Sequence, residues 1–173
     1  MKNKMIAAAI LFAAFATTNA NSQATAFAST TAILVTPIAV TKTFDMHFGT
    51  LAASPIAGTA TLNYANGVTP ALGVSVIDAT LATTAVFTVA GAASESISVT
   101  IPSAAITLTS GLNTMTVDGF TCDAGGTTTL SGAGAATLKV LGVLHVAANQ
   151  LAGTYSNNLA NVATSLFVTV NYN

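Results

Sequence analysis

The fold is decided by the stretch Ser165-Leu166-Phe167-Val168-Thr169-Val170-Asn171-Tyr172-Asn173. In an extended backbone its side chains alternate between two faces, and one face carries Leu166, Val168, Val170 and Tyr172. β-Branched and aromatic residues at a period of two are typical of a strand with one buried face. We therefore expect this stretch to be tied into a sheet, with a neighbouring strand on each side.

The composition limits the class of protein. Only 5% of the 173 residues are charged, whereas soluble proteins average about 25%. Beyond residue 20 two Lys stand against five acidic residues, a net charge of 2 − 5 = −3. The chain therefore lacks the basic surface of a nucleic-acid-binding protein and the polybasic patch of a membrane-surface protein. We expect no nucleic-acid partner.

The first twenty residues have the pattern of a secretory signal peptide. A basic start, Met1–Lys4, precedes an apolar run, Met5–Ala16, and small polar residues follow. The run has 12 residues, whereas a membrane span needs roughly 20. A membrane anchor is the alternative interpretation. We expect cleavage after Ala20, or as late as Ala24, leaving no transmembrane segment and a protein exported to the periplasm, cell surface or medium.

The rest of the chain is predicted to contain a flexible leader, residues 21–31, and one β domain, residues 32–173. Short alternating runs at roughly 8–12-residue spacing indicate about nine or ten strands in an antiparallel β-sandwich of immunoglobulin-like or pilin-like type. Ala136–Val146 is the longest predicted strand, Phe44–Gly49 is a short one, and Ala52–Gly58 is predicted as a loop. No capped helical pattern follows the signal peptide.

The residues that bear chemistry are few. Asp45 and His47 share a face, which would suit half of a metal site or an acid/base pair, but a solvated sheet face is the plainer interpretation. The other histidine is His145, and no Gly-x-Ser-x-Gly motif or clustered ligand set is present. Cys122 is the single cysteine, so it cannot form an internal disulfide and is either an intermolecular or redox thiol or a half-buried side chain. We expect no enzyme activity, metal or cofactor.

Several short motifs follow one another in an order that is similar to a known family. They are Val35-Thr36-Pro37-Ile38, Phe44-Asp45-Met46-His47-Phe48-Gly49, Phe87-Thr88-Val89-Ala90-Gly91, Val99-Thr100-Ile101-Pro102-Ser103, Met115-Thr116-Val117-Asp118-Gly119-Phe120, Leu138 to Leu144, Gly153-Thr154-Tyr155 and Val168-Thr169-Val170-Asn171-Tyr172. Their order resembles the bacterial secreted family catalogued as domain of unknown function 4402, over nearly the whole chain beyond the signal peptide.

The resemblance implies a secreted domain and brings no activity with it. In that family the Gly-x-Tyr motif leads almost directly into the last strand, whereas Asn157 to Ser165 lengthens the connection here. A looser similarity, at the level of the fold alone, links the chain to pilins of the chaperone–usher type. Those pilins commonly contain an internal disulfide, which this chain cannot make.

A structural role at the cell surface is the favoured expectation, with self-association or another surface subunit as partner. In such a role a strand of one subunit completes a sheet edge of the next. The predicted donor lies within Ala26–Val40 and presents Ile33, Leu34, Val35, Ile38 and Val40. The predicted acceptor edge is the last strand, with Leu166, Val168, Val170 and Tyr172. Alternatively, Ala26–Val40 contains the domain's own first strand, which Pro37 confines to an edge or makes switch sheets.

A binding module is the second expectation for function. A β-sandwich can present its loops to a carbohydrate or another surface ligand, and sugars commonly stack on exposed aromatic rings. The chain has no Trp and three Tyr, at positions 64, 155 and 172. All three lie within predicted strand regions, which favours the structural role.

Overall fold

The computed structural model describes residues 24–157 and 165–173. The chain divides into two units, one ending at Leu34 and one beginning at Val35. Within the first unit, residues 24–34 contain no strand, turn or bend, and Phe27, Ile33 and Leu34 are exposed. The predicted signal peptide and its cleavage site at Ala20 lie outside the described residues.

Ten strands make up the described part of the second unit, and every pairing between them is antiparallel. In chain order they are β1 (Ala39–Phe44), β2 (Thr50–Leu62), β3 (Val68–Asp78), β4 (Ala85–Ala90), β5 (Ser96–Thr100), β6 (Ile106–Ser110), β7 (Asn113–Cys122), β8 (Thr127–Thr129), β9 (Ala135–Val146) and β10 (Thr169–Tyr172). The antiparallel β-sandwich expected from the sequence is confirmed.

The larger sheet is organised around β9. Strand β7 pairs with one side of β9. The other side of β9 pairs with β4 along its first half and with β2 along its last residues. On their far sides, β7 pairs with β6, β4 with β1, and β2 with β3. In β9 alternate residues from Leu138 to Val146 are buried, because a strand places successive side chains on opposite faces. One face of β9 therefore supplies the core along its whole length.

The smaller sheet has the strand order β10-β5-β8 and packs against the part of the larger sheet that contains β4 and β9. The main core cluster between the sheets is formed by Ala85, Phe87, Val89, Ile97, Val99, Leu130, Leu138, Val140 and Val170. Full burial of an aliphatic or aromatic side chain of this size contributes about 1.5–3 kcal/mol. The cluster is therefore the main source of adhesion between the two sheets.

A second core cluster supports the other half of the larger sheet. It contains Phe48, Leu62 from β2, Val74 from β3, Val117 from β7 and Leu144 from β9. The long β2–β3 hairpin contributes to this cluster with only part of its length. Strand β9 pairs with β2 from Gly58 to Thr61 alone.

Three local expectations are wrong. Tyr64 lies in the turn after β2 and Tyr155 lies outside the strands, so of the three Tyr only Tyr172 is in a strand. The predicted loop Ala52–Gly58 is part of β2, and it tolerates Pro55 because the register between β2 and β3 shifts between Ala53 and Gly58. Phe44–Gly49 is not a separate strand, because Phe44 is the last residue of β1 and His47 forms an isolated bridge with Thr83. Gly49 has a positive φ of 72°, a conformation that does not continue a strand.

Candidate assembly site

Strand β10 lies at the edge of the smaller sheet. It pairs with β5 from Thr169 opposite Thr100 to Tyr172 opposite Ile97, without a shift in register. The sequence predicted a neighbour on each side, but within residues 24–157 and 165–173 only β5 pairs with β10. One side of β10 is therefore open in the described part of the chain.

The backbone groups that face this open side can be assigned from the pairing. The amide of Asn173 donates to the carbonyl of Ser96 (3.1 Å), whereas the amide of Val99 donates to a carbonyl beside β8 (2.8 Å). Residues of an antiparallel strand turn their backbone groups alternately to one neighbour and the other. Val170 and Tyr172 therefore direct their N–H and C=O groups outward at the open edge and their side chains toward the core.

The other edges of the two sheets carry features that discourage strand addition. Strand β1 has the charge of Lys42 and a register shift beside it. Strand β3 contains Pro70, and Leu72 interrupts it with a φ of 54°. Thr109 on β6 is bridged by Ser156, and β8 has three residues. Among the described edge strands, β6, β8 and β10 have no proline, charged side chain or register shift, and β10 has neither the bridge that occupies β6 nor the three-residue length of β8.

An apolar row accompanies the open edge. Leu166, Val168 and Tyr172 are half-buried against the main core cluster, and Ile38 and Val40 pack against the same cluster from the side of β1. The two edge strands β1 and β10 thus border one lateral side of the sandwich. Within the described part of the chain, the side chains that cover the core on that side are half-buried.

The structure separates the residues of the predicted donor segment. Val40 lies in β1, the domain's own first strand, and Ile38 packs against the domain's own core. Val35 opens the second unit with an exposed side chain, and Ile33 and Leu34 belong to the first unit. Donation of Ile33–Val35 to another copy stays a prediction, whereas Ile38 and Val40 are already used within the fold.

The hydroxyl of Tyr172 connects the last strand to the segment before β1. It accepts a hydrogen bond from the amide of Ala92 (2.7 Å) and donates one to the carbonyl of Thr36 (2.8 Å). Gly91 lies against the ring, where a Cβ would collide with the hydroxyl oxygen. Sequence reasoning did not find this contact, because both partners of the hydroxyl are backbone groups, on segments far from Tyr172 in the sequence.

A second polar pair, Asp118 and His145, was also missed. His145 Nε2 lies 2.7 Å from Asp118 Oδ1, and both side chains are about half exposed. The pairing of β7 with β9 places these residues diagonally on one face, which could be found only from the register. A shallow groove of about 420 Å³ adjoins His145 between Leu72 and Met115. The contact that the structure shows for the His145 imidazole is this single hydrogen bond to Asp118.

The pair singled out in the sequence, Asp45 and His47, does not act together. Asp45 forms an ion pair with Lys42 (2.5 Å), and His47 Nδ1 accepts a hydrogen bond from the amide of Gly49 (2.9 Å). In the described part of the chain no three His, Cys or carboxylate side chains are grouped so that they could hold a metal ion.

Cys122 is half-buried at the end of β7. Its Sγ lies 3.6 Å from Asp123 Oδ1. Burial, and to a lesser degree the charge of Asp123, raises the pKa of the Cys122 thiol. A raised pKa disfavours the thiolate, which is the reactive form of cysteine. This environment is that of a packed side chain rather than of an activated thiol.

Fold and site together define a small antiparallel β-sandwich in which, among the described residues, β10 pairs on one side only. Residues 38–172 match the family model described as "Domain of unknown function (DUF4402)", and the chain belongs to this family, as its order of motifs indicated. No curated protein and no solved structure matches the chain. The residues that the structure describes include no helix long and apolar enough to cross a membrane.

Proposed function

We propose that the protein is an exported structural subunit of the cell surface that associates with further copies by β-strand addition. The N-terminal segment of one copy, Ala26–Val35, adds to the open edge of β10 in the next. The observation that carries this proposal is the β10 edge, which pairs on one side only among the residues that the structure describes and accompanies a half-buried apolar row.

The donor segment suits this edge in length and chemistry. Its ten residues contain no charged side chain and extend to about 33–36 Å, whereas the four residues of β10 span about 13 Å. Main-chain hydrogen bonds to Val170 and Tyr172 supply affinity, and apolar side chains covering the row supply the register. Phe27, Ile33, Leu34 and Val35 are exposed in the donor.

Export belongs to the same proposal. It is supported by the basic and apolar pattern of residues 1–16 and by the small residues before Ala20. The protein then resides in the periplasm, on the cell surface or in the medium. Amino-terminal sequencing of the exported protein is expected to begin at Asn21, or at Thr25 if cleavage follows Ala24.

A carbohydrate-binding module is less well supported. Such a module displays aromatic side chains to its ligand. The hydroxyl groups of Tyr64, Tyr155 and Tyr172 all form hydrogen bonds within their own domain. We therefore retain the structural role.

A charge at the open edge tests the proposal. In the chain that begins at Asn21, Asn171→Lys places an ammonium group on β10 at an exposed position, and Thr127→Lys does the same on β8 at the opposite edge of the same sheet. We expect the wild type and Thr127→Lys to form oligomer ladders or filaments by size-exclusion chromatography and electron microscopy. Asn171→Lys is expected to stay monomeric with an unchanged circular-dichroism spectrum. Equal assembly of the two variants would exclude β10 as the acceptor.

Removal of the donor provides the complementary test. Deleting Ala26–Val35 leaves the strands and both core clusters intact, since β1 begins at Ala39. We expect this deletion to abolish assembly while the domain unfolds at nearly the same urea concentration. Oligomers of unchanged size would contradict donation by this segment.

A further inference from the structure

We infer that the Tyr172 hydroxyl fixes the root of the donor segment, residues 35–38, and thereby keeps the segment from adding to the β10 edge of its own copy. The inference rests on the proposed function and specifies its geometry. The partner is a second copy of this chain, and the association is open-ended because the donor cannot close on its own acceptor.

The position of the root follows from the pairing of β1. The last pair between β1 and β4 joins Ala39 to Ala90. Beyond that pair, the Tyr172 hydroxyl bridges the carbonyl of Thr36 and the amide of Ala92. Residues 36–38 therefore prolong the line of β1 past the end of β4.

The direction of the strands makes closure on the same copy difficult. β10 runs toward the end of the sandwich that contains Ala92, because its last residue, Tyr172, bonds there. β1 starts from that end, since it is antiparallel to β4. To lie along its own β10, the donor would have to reverse direction at the root.

The conformation of residues 35–38 disfavours such a reversal. Residues 35–38 contain neither a turn nor a bend. Pro37 fixes its own φ and disfavours the helical conformation at Thr36, so the segment is biased toward an extended path. The hydrogen bond from Tyr172 holds the carbonyl of Thr36 in this path.

The hydroxyl of Tyr172 is used fully in this arrangement. A phenol has one hydrogen to donate, and here that hydrogen goes to Thr36 while the amide of Ala92 is accepted. Phenylalanine at position 172 would keep the ring in the core and remove both bonds. The root would then be held by Pro37 and the packing of Ile38 alone.

Tyr172→Phe in the chain that begins at Asn21 tests the inference. Its matched control is Tyr155→Phe, because the Tyr155 hydroxyl also accepts one bond, from Gln150 (2.8 Å), and donates one, to the carbonyl of Leu151 (2.7 Å). Light scattering after size-exclusion chromatography measures the ratio of open oligomers to monomers and small closed species. We expect this ratio to fall several-fold in Tyr172→Phe and to match the wild type in Tyr155→Phe.

The outcomes separate this inference from the proposed function. If the wild type assembles and Tyr172→Phe gives the same ratio, the root is not controlled by the hydroxyl, and assembly at β10 stands. If the wild type does not assemble at all, the proposed function itself is wrong and the inference falls with it. Should Tyr172→Phe fail to fold, Pro37→Gly decides, because it loosens the root while leaving the Tyr172 hydroxyl in place. The same fall in the ratio is expected there, and an unchanged ratio overturns the inference.

Discussion

Gly91 and Tyr172 fit one another as single residues. The absence of a side chain at Gly91 makes room for the phenol, which then reaches the amide of the next residue, Ala92. The requirement at Gly91 is one of space, since its backbone does not adopt a positive φ. A residue that looks like a simple turn glycine in the sequence is therefore part of the candidate site.

Substitution at Gly91 is expected to be costly. In Gly91→Ala the new Cβ collides with the Tyr172 hydroxyl, and overpacking of this kind typically costs about 1–3 kcal/mol. Gly132→Ala is the control, because no atom lies near its added methyl group. Urea unfolding measures both variants. In the Tyr172→Phe background the cost of Gly91→Ala should shrink, and an undiminished cost would show that the hydroxyl is not the obstacle.

At the scale of elements, the sequence predicted which stretches form strands better than it predicted which strands pair with one another. The alternation from Leu166 to Tyr172 was visible, because the period of a half-buried strand is carried by the strand itself. Its pairing with β5, and the proximity of Asp118 to His145, depend on register between distant segments. The continuation of β2 through Pro55 was missed because proline normally ends a ladder. The structure places Pro55 inside the register shift, between the paired residues Ala53 and Gly58.

The β2–β3 hairpin supplies a prediction at this scale. Asn66, in its turn, has a φ of 62°, and its side-chain oxygen accepts hydrogen bonds from the amide (3.0 Å) and hydroxyl (3.2 Å) of the fully buried Thr84. Asn66→Gly keeps the turn conformation but leaves these buried donors without their acceptor, which costs about 1–3 kcal/mol. Asn66→Asp retains an acceptor oxygen and is the control. If both variants unfold at the same urea concentration in fluorescence or circular-dichroism measurements, the hydrogen bonds to Thr84 do not contribute to the free energy of unfolding.

At the scale of the whole molecule, the scarcity of charge leaves few ionic contacts. The described residues contain the ion pair Lys42–Asp45 and the hydrogen-bonded pair Asp118–His145, which is ionic only when His145 is protonated, and all four side chains are substantially exposed. Exposed pairs of this kind contribute about 0–1 kcal/mol each. The stability of the domain therefore depends on apolar burial and sheet hydrogen bonds. Screening of these ionic contacts by added salt is expected to change the free energy of unfolding very little.

Resistance to trypsin follows from the same scarcity. Beyond residue 20 the chain has two lysines, and Lys139 lies in β9 with its amide bonded to Asp123 (2.8 Å). Cleavage at Lys139 requires β9 to separate from strands on both sides. We expect native protein to be cut slowly, and first at Lys42 on the edge strand β1, with Lys139 cut only in urea. Mass spectrometry of the fragments checks this order, and early cleavage at Lys139 would contradict the central position of β9.

The central position of β9 also determines when the protein can fold. β9 joins Gly58 to Val146 and Val86 to Lys139, so its pairings connect parts of the chain that are synthesised far apart in time. Sandwiches dominated by such distant pairings fold in milliseconds to seconds, because long loops must close before the contacts form. The larger sheet cannot be completed until position 146 has left the ribosome. Completion of the larger sheet late in synthesis is compatible with the export that we propose.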